Sequence, residues 1–271
     1  MKKFDCIAID EGCQTILRFD TESKEIKWKK SLKDFPTARA LQKLNNNRVL
    51  VGFDRGYFEI NIEDGQIIHI SNERRNITSA IRTKNGDTLL TGLDLEGDKG
   101  ICVITLDKDD KLIKKVSKPG DYVRLMSLSN KGTYLLSTNN CVSETDQDLN
   151  LIKTYKAKGF LHCWQSLQLK NGKTIISSGY GAYMAIFDQD GKLEKTFGEK
   201  DKLPKEVEPF FYASFRLTKD NTLLVANWEG HGPNNGSKGR QLIHFDIEGN
   251  YIESISFEKE VSSLQGLLIL D

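Results

Sequence analysis

Residues 166–197 read SLQLKNGKTIISSGYGAYMAIFDQDGKLEKTF. Four short runs, SLQL, TIISS, MAIF and KLEKTF, are separated by Asn-Gly, by a glycine-containing loop and by Asp-Gly. Runs this short, rich in Ile, Leu and Thr, are strands joined by tight turns, because Asn-Gly and Asp-Gly tolerate the positive φ such turns need. The stretch therefore reads as strand, turn, strand, loop, strand, turn, strand.

The same phrase recurs along the chain. Its first half returns as ALQKLNNNRVLVGF, SAIRTKNGDTLLTGL, LMSLSNKGTYLLST and ASFRLTKDNTLLVANW. Its second half returns as EINIEDGQIIHI, VITLDKDDKLIKKV, SETDQDLNLIKTY and IHFDIEGNYIESI. A further copy is split. CIAIDEGCQTILRFDTESKEIKWKK near the N-terminus lacks a first strand, and SSLQGLLILD at the other end is a first strand alone. The turn residues Asp20, Asn61, Asp107, Asp146, Asp188 and Asp246 recur roughly every 40 to 45 residues, with one longer gap, which with four strands per unit is the mark of a β-propeller.

The expectation is an all-β chain, residues 1–271 as one domain. It is a six-bladed β-propeller of four-stranded antiparallel blades, with the C-terminal strand pairing into the N-terminal blade to close the ring. Closure leaves no unsatisfied first or last blade. Weak helical candidates are confined to the linkers 33–42 and 199–208.

Composition excludes several classes. Formal net charge is +1 over 271 residues, which argues against nucleic acid or an anionic membrane as partner. No stretch reaches the length of a membrane span. The start MKKFDCIAID has no apolar h-region, which points to the cytoplasm, or to an exported protein expressed without its signal. Five cysteines without any C-x-x-C spacing suggest reduced thiols and no structural zinc.

The pattern N-G-x-T-[IL]-[IL] followed by F-D-x-x-G-x-[ILY], as in NGKTIISS with FDQDGKL, resembles the repeats of the quinoprotein-like and arylsulfotransferase-like propeller group. Quinoprotein repeats usually carry a tryptophan late in each blade, the place Trp28 holds here. The resemblance implies the six-bladed fold. It assigns no cofactor, since propellers host unrelated activities.

Propeller topology sorts the loops by face. The first-to-second and third-to-fourth turns share one face, and here they are minimal polar turns. The second-to-third loops and the blade-to-blade connections share the other, called the upper face below. It collects arginines, aromatic rings and two histidines, a mixture suited to a pocket with a few directing polar groups. The candidate ligand-binding residues are Arg39, Arg75, Arg124, Tyr122, Trp164, Tyr180, Tyr212, Trp228 and Glu229. Arginine forks match carboxylate, sulfate or phosphate, unless they pair with local acids such as Asp54, Asp94 or Asp121.

His162 and His231 are candidate acid–base groups, since imidazole titrates near neutrality. His162 and Trp164, two apart at the start of an inner strand, are expected on one wall. Residues 226–240, ANWEGHGPNNGSKGR, form the longest second-to-third loop and are expected to fold over the channel mouth. His162, His231 and Glu229 have no fixed spacing, so no metal site is assigned. The functional expectation is a module that binds a small anionic or sugar-like molecule, or a peptide, on this face. The alternatives are a lyase, transferase or hydrolase using a channel-mouth histidine, and a protein-partner scaffold.

Overall fold

The computed structural model describes residues 2–257 and 260–270. Six four-stranded antiparallel sheets form the blades of a propeller. The innermost strands are Leu264–Ile269 in blade 1, Ala40–Lys43 in blade 2, Ile77–Arg82 in blade 3, Met126–Leu128 in blade 4, Ser166–Gln168 in blade 5 and Phe211–Leu217 in blade 6. Blade 1 is the split copy. Its C-terminal strand pairs with Asp5–Asp10, placing Cys6 opposite Ile269 and Ala8 opposite Leu267. Cys6, Ala8, Leu264 and Leu267 are fully buried there. Burying each of the two leucines contributes roughly 1.5–3 kcal/mol, so the closure is held by apolar packing as well as by strand hydrogen bonds.

The recurring Asp and Asn have a backbone role. Asp107 Oδ1 accepts the amides of Asp109 and Lys111, each at 2.9 Å. Asp146 and Asp188 do the same two and four residues on. In every blade the third-to-fourth strand pairing shifts register just ahead of this turn, for example between Glu144 and Thr145 and between Ile186 and Phe187. The short acceptor side chain satisfies amides that the bulge takes out of the ladder. Gly86 and Gly172 hold φ of 96° and 85° in the first-to-second turns, as the Asn-Gly pairs predict.

The linkers differ from expectation. Residues 33–42 run as turns into the strand at Ala40, and residues 199–208 hold two single-turn 3-10 helices, Lys200–Lys202 and Lys205–Val207. Pro36 and Pro204 interrupt any longer helix. No helix among the described residues is long and apolar enough to cross a membrane.

Candidate functional site

The upper face is organised around two arginines. Arg39 precedes the inner strand of blade 2 and is only 8% exposed. Its Nε donates to the Thr37 carbonyl at 3.2 Å and its Nη1 to Tyr122 Oη at 3.0 Å. Its guanidinium carbon stands 5.6 Å from the Trp164 ring and 6.0 Å from the Tyr122 ring. Arg124 precedes the inner strand of blade 4, and its guanidinium carbon lies 5.0 Å from the centre of the same tyrosine ring. Arg124 Nη2 donates to Asn139 Oδ1 at 2.8 Å, and Asn139 Nδ2 donates to Asp121 at 2.8 Å. The nearest acid therefore reaches Arg124 only through an amide. Among the described residues, neither arginine has a carboxylate at ion-pair distance.

Burial pushes the Arg124 guanidinium below its ordinary range, and the like charge of Arg39 pushes the same way. Tyr122, Asp121 and Tyr180 oppose them. Two further donors are idle: Arg124 Nε and Trp164 Nε1 are buried without a hydrogen-bond partner. A donor in that state costs about 1–3 kcal/mol until an acceptor arrives.

Blades 5 and 6 supply the rings. Tyr180 sits 5.4 Å from His162, 4.8 Å from Phe211, 5.8 Å from Phe210 and 6.2 Å from Trp228, all near edge-to-face. Gly179 makes this possible. Its φ is 68°, and a Cβ there would collide with the carbonyl oxygens of Leu161 and His162. His162, expected from sequence at the start of an inner strand, lies outside the regular strand. It holds φ 62°, its amide bonded to the Asn139 carbonyl, and the regular strand starts at Ser166. The ring still faces Tyr180, and burial, then Arg124, holds its pKa below the ordinary value, with Asp121 opposing.

The long loop is docked, not free. Ser262 Oγ and Ser263 Oγ of blade 1 donate to the carbonyls of Gly232 and Gly230. Asn235 Nδ2 gathers the carbonyls of Gly230, His231 and Gly232. Trp228 Nε1 and His231 Nδ1 each lie 2.9 Å from an oxygen of Glu11. Glu11 was not singled out in the sequence, yet it occupies the second-to-third loop of the split blade, an address equivalent to that of Glu229.

Not every candidate reaches the mouth. Glu229 is 2% exposed, beneath the loop, where Gln241 Nε2 donates to its Oε2 at 3.1 Å and its Oε1 has no partner. Burial pushes its pKa up to about 7, against the pull of Gln241, Lys238 and Arg240. Tyr212 is fully buried, donating to the Gly198 carbonyl at 2.7 Å. Its neighbour Phe211 takes the mouth side, and adjacent strand residues point oppositely. Arg75 is exposed between blades 2 and 3, and its neighbour Arg74 pairs with Glu96 at 3.5 Å.

Two cavities share Arg39 as a wall. One, of about 300 Å3, includes Glu11, Gln14, Phe35, His231 and Gln265 in its lining. The other, of about 230 Å3, includes Asp54, Asn76, Asp94 and Tyr122. A larger space of about 740 Å3 lies against residues 233–240 of the loop, but its Glu206, Glu208, Lys238 and Arg240 balance in charge and it gathers none of the mouth's rings. Among the described residues, no group of three His, Cys, Asp or Glu side chains is placed to hold a metal ion.

No protein-family model and no curated protein matches the chain. Solved structures match over nearly its whole length. A protein of unknown function from Bacteroides caccae is 18% identical, with 99% of each chain covered and a TM-score of 0.77. A streptogramin B lyase is 12% identical, covering 95% of this chain and 87% of the other, with a TM-score of 0.60. A catalytically inactive histidine-to-alanine variant of virginiamycin B lyase from Staphylococcus aureus, with quinupristin, is 12% identical, covering 98% and 91%, with a TM-score of 0.62. These likenesses support the six-bladed propeller and carry no further, to the quinoprotein-like group or to an activity.

Proposed function

We propose that the upper face of this propeller binds a small anionic molecule, anchored by Arg39 and Arg124. The observation that carries this reading is the pair of guanidinium groups on one tyrosine ring, Arg39 buried and Arg124 half-buried, without a carboxylate partner and beside two idle donors. Buried charge without a counter-charge is expensive, and an incoming carboxylate, sulfate or phosphate would supply both the charge and the missing acceptors. Arg39 and Tyr122 are held by each other, so the anchor is largely formed before binding, which reduces the ordering cost.

The test is the melting midpoint in buffers free of oxyanions, with sodium sulfate or sodium acetate added at constant ionic strength. Binding to the folded state raises the midpoint by mass action. The reading expects a rise for the wild type that is lost in Arg124→Ala. Equal behaviour of the two proteins overturns it.

A second reading is catalysis at the same mouth. It is favoured by the His231–Glu11 pair, in which a carboxylate oxygen 2.9 Å from Nδ1 would fix the tautomer and leave the second ring nitrogen for proton transfer beside Arg39. The propeller neighbours include a lyase whose inactive form is a histidine variant. Turnover of an anionic substrate that vanishes in His231→Ala, with binding kept, would establish this reading. Turnover unaffected by that change would dismiss it.

A further inference from the structure

Resting on the anion reading above, we infer that the ligand carries a planar aromatic ring beside its anionic group, and that Tyr180 and Phe210 are the shelf that receives the ring. Among the described residues, the exposed large apolar side chains fall into two sets. Ile67, Leu112, Leu151, Leu193 and Ile252 are representative of those on the outermost strands, spread around the rim. Leu161, Tyr180 and Phe210 are the others, all on the upper face: Leu161 in the connection from blade 4 to blade 5, Tyr180 in the second-to-third loop of blade 5 and Phe210 in the connection to blade 6. Tyr180 is 38% exposed and Phe210 48%, whereas the rings behind them, Phe211 and Trp228, are 3% and 4% exposed. The shelf is thus the open front of a buried aromatic wall.

Its rings are held in place. The Phe210 amide donates to Asn227 Oδ1 at 2.9 Å, and the Tyr180 amide donates to the Leu161 carbonyl at 2.9 Å. Tyr180 and Phe210 meet edge-to-face at 90°, and both rings keep surface facing out. Asn227 itself is fully buried and also bonds to the carbonyls of Glu208 and Arg240. Ordering the rings in advance is a cost already met when a ligand arrives.

The shelf adjoins the anchor. Trp164, whose ring stands 5.6 Å from the Arg39 guanidinium carbon, is 5.5 Å from Phe211, and Phe211 is 4.8 Å from Tyr180. On the other side, His162 links Tyr180 to the Arg124 neighbourhood. Positive charge thus gives way to aromatic surface across the space of two rings. An aryl carboxylate with a short spacer matches that order: oxygens at the guanidinium groups, ring against ring at the shelf. A saturated acid of equal length would keep the first interaction and lose the aromatic part of the second.

The experiment is calorimetric titration of the whole protein with four probes: sulfate, propionate, 3-cyclohexylpropionate and 3-phenylpropionate. We expect 3-phenylpropionate to bind about two- to twelvefold more tightly than its cyclohexyl analogue, the range that an added aromatic pair supplies. In Phe210→Ala that ratio should fall towards one with sulfate affinity unchanged. Phe210→Leu, which keeps apolar bulk without a flat face, should behave like the alanine variant. Equal affinity for the two ring acids, or a preference that survives both substitutions, overturns the shelf while sulfate binding leaves the anion reading standing. Failure of all four probes overturns the anion reading itself, and the shelf with it.

Discussion

Trp228 Nε1 lies 2.9 Å from Glu11 Oε2, and the other oxygen of that carboxylate meets His231 Nδ1 at the same distance. One acid from blade 1 thus holds both ends of the turn in which blade 6 begins its longest loop. This contact crosses the seam where the N-terminal and C-terminal parts of the chain close the ring. The wall of the mouth is therefore tied to ring closure.

Glu11→Ala should leave the Trp228 indole N–H without its acceptor and cost about 1–3 kcal/mol, the usual penalty for an orphaned donor. The loop 229–241 should then exchange its amide hydrogens faster while the outer strands stay protected. Hydrogen exchange read by mass spectrometry checks this. Unchanged protection of the loop would mean that the serine contacts from Ser262 and Ser263 hold it unaided.

Tyr122→Phe removes the hydroxyl that fixes Arg39 Nη1 but keeps the ring that both arginines approach. The fold should survive. Sulfate affinity should fall by about threefold to tenfold, as expected for one lost positioning hydrogen bond of roughly 1 kcal/mol. Calorimetry of the variant decides it, and an unchanged affinity would place the anion elsewhere than at Arg39.

Glu229 makes stability depend on pH in a stated direction. Its folded-state pKa, about 7, lies above the ordinary value of 4.5, so the folded protein binds this proton more tightly than the unfolded chain does. The contribution is fully present below pH 4.5, declines as pH rises through 7 and is absent above. Its size is on the order of 3 kcal/mol, from the displacement of the pKa. Glu229→Gln should flatten the dependence of stability on pH between 4.5 and 7 relative to wild type. Denaturant midpoints measured across that range check this, and identical slopes in the two proteins would refute it.

Leu267 carries ring closure, fully buried opposite Ala8. Leu267→Ala should cost about 2–5 kcal/mol, the range for an excavated leucine core site. Urea unfolding checks the magnitude. A loss within experimental error would mean that the closing strand is held by its backbone ladder alone.

The architecture was legible in the chain because its signals are local and repeated. Asn-Gly at 171–172 and the acceptor at Asp188 act on amides a few residues away, so each copy of the phrase folds the same way wherever it stands. The split copy was legible too, since SSLQGLLILD supplies the one strand that the N-terminal segment lacks. Loop addresses followed from that topology, and Arg39, Arg124, Trp164, Tyr180, Trp228 and His231 do stand on one face.

Only the tertiary structure decided which of these side chains meet. Arg39 and Arg124 approach the Tyr122 ring from different blades, a relation with no trace in spacing along the chain. Tyr212 turns into the core because the strand alternation gives the mouth to Phe211. Glu229 is sealed beneath its own loop, while Glu11, more than 200 residues before Trp228 and His231, becomes their partner. Turns are set by hydrogen bonds within a few residues, and the sequence states them directly. A channel mouth is set by the rotation of six blades about one axis, which brings distant loops together only when the ring has closed.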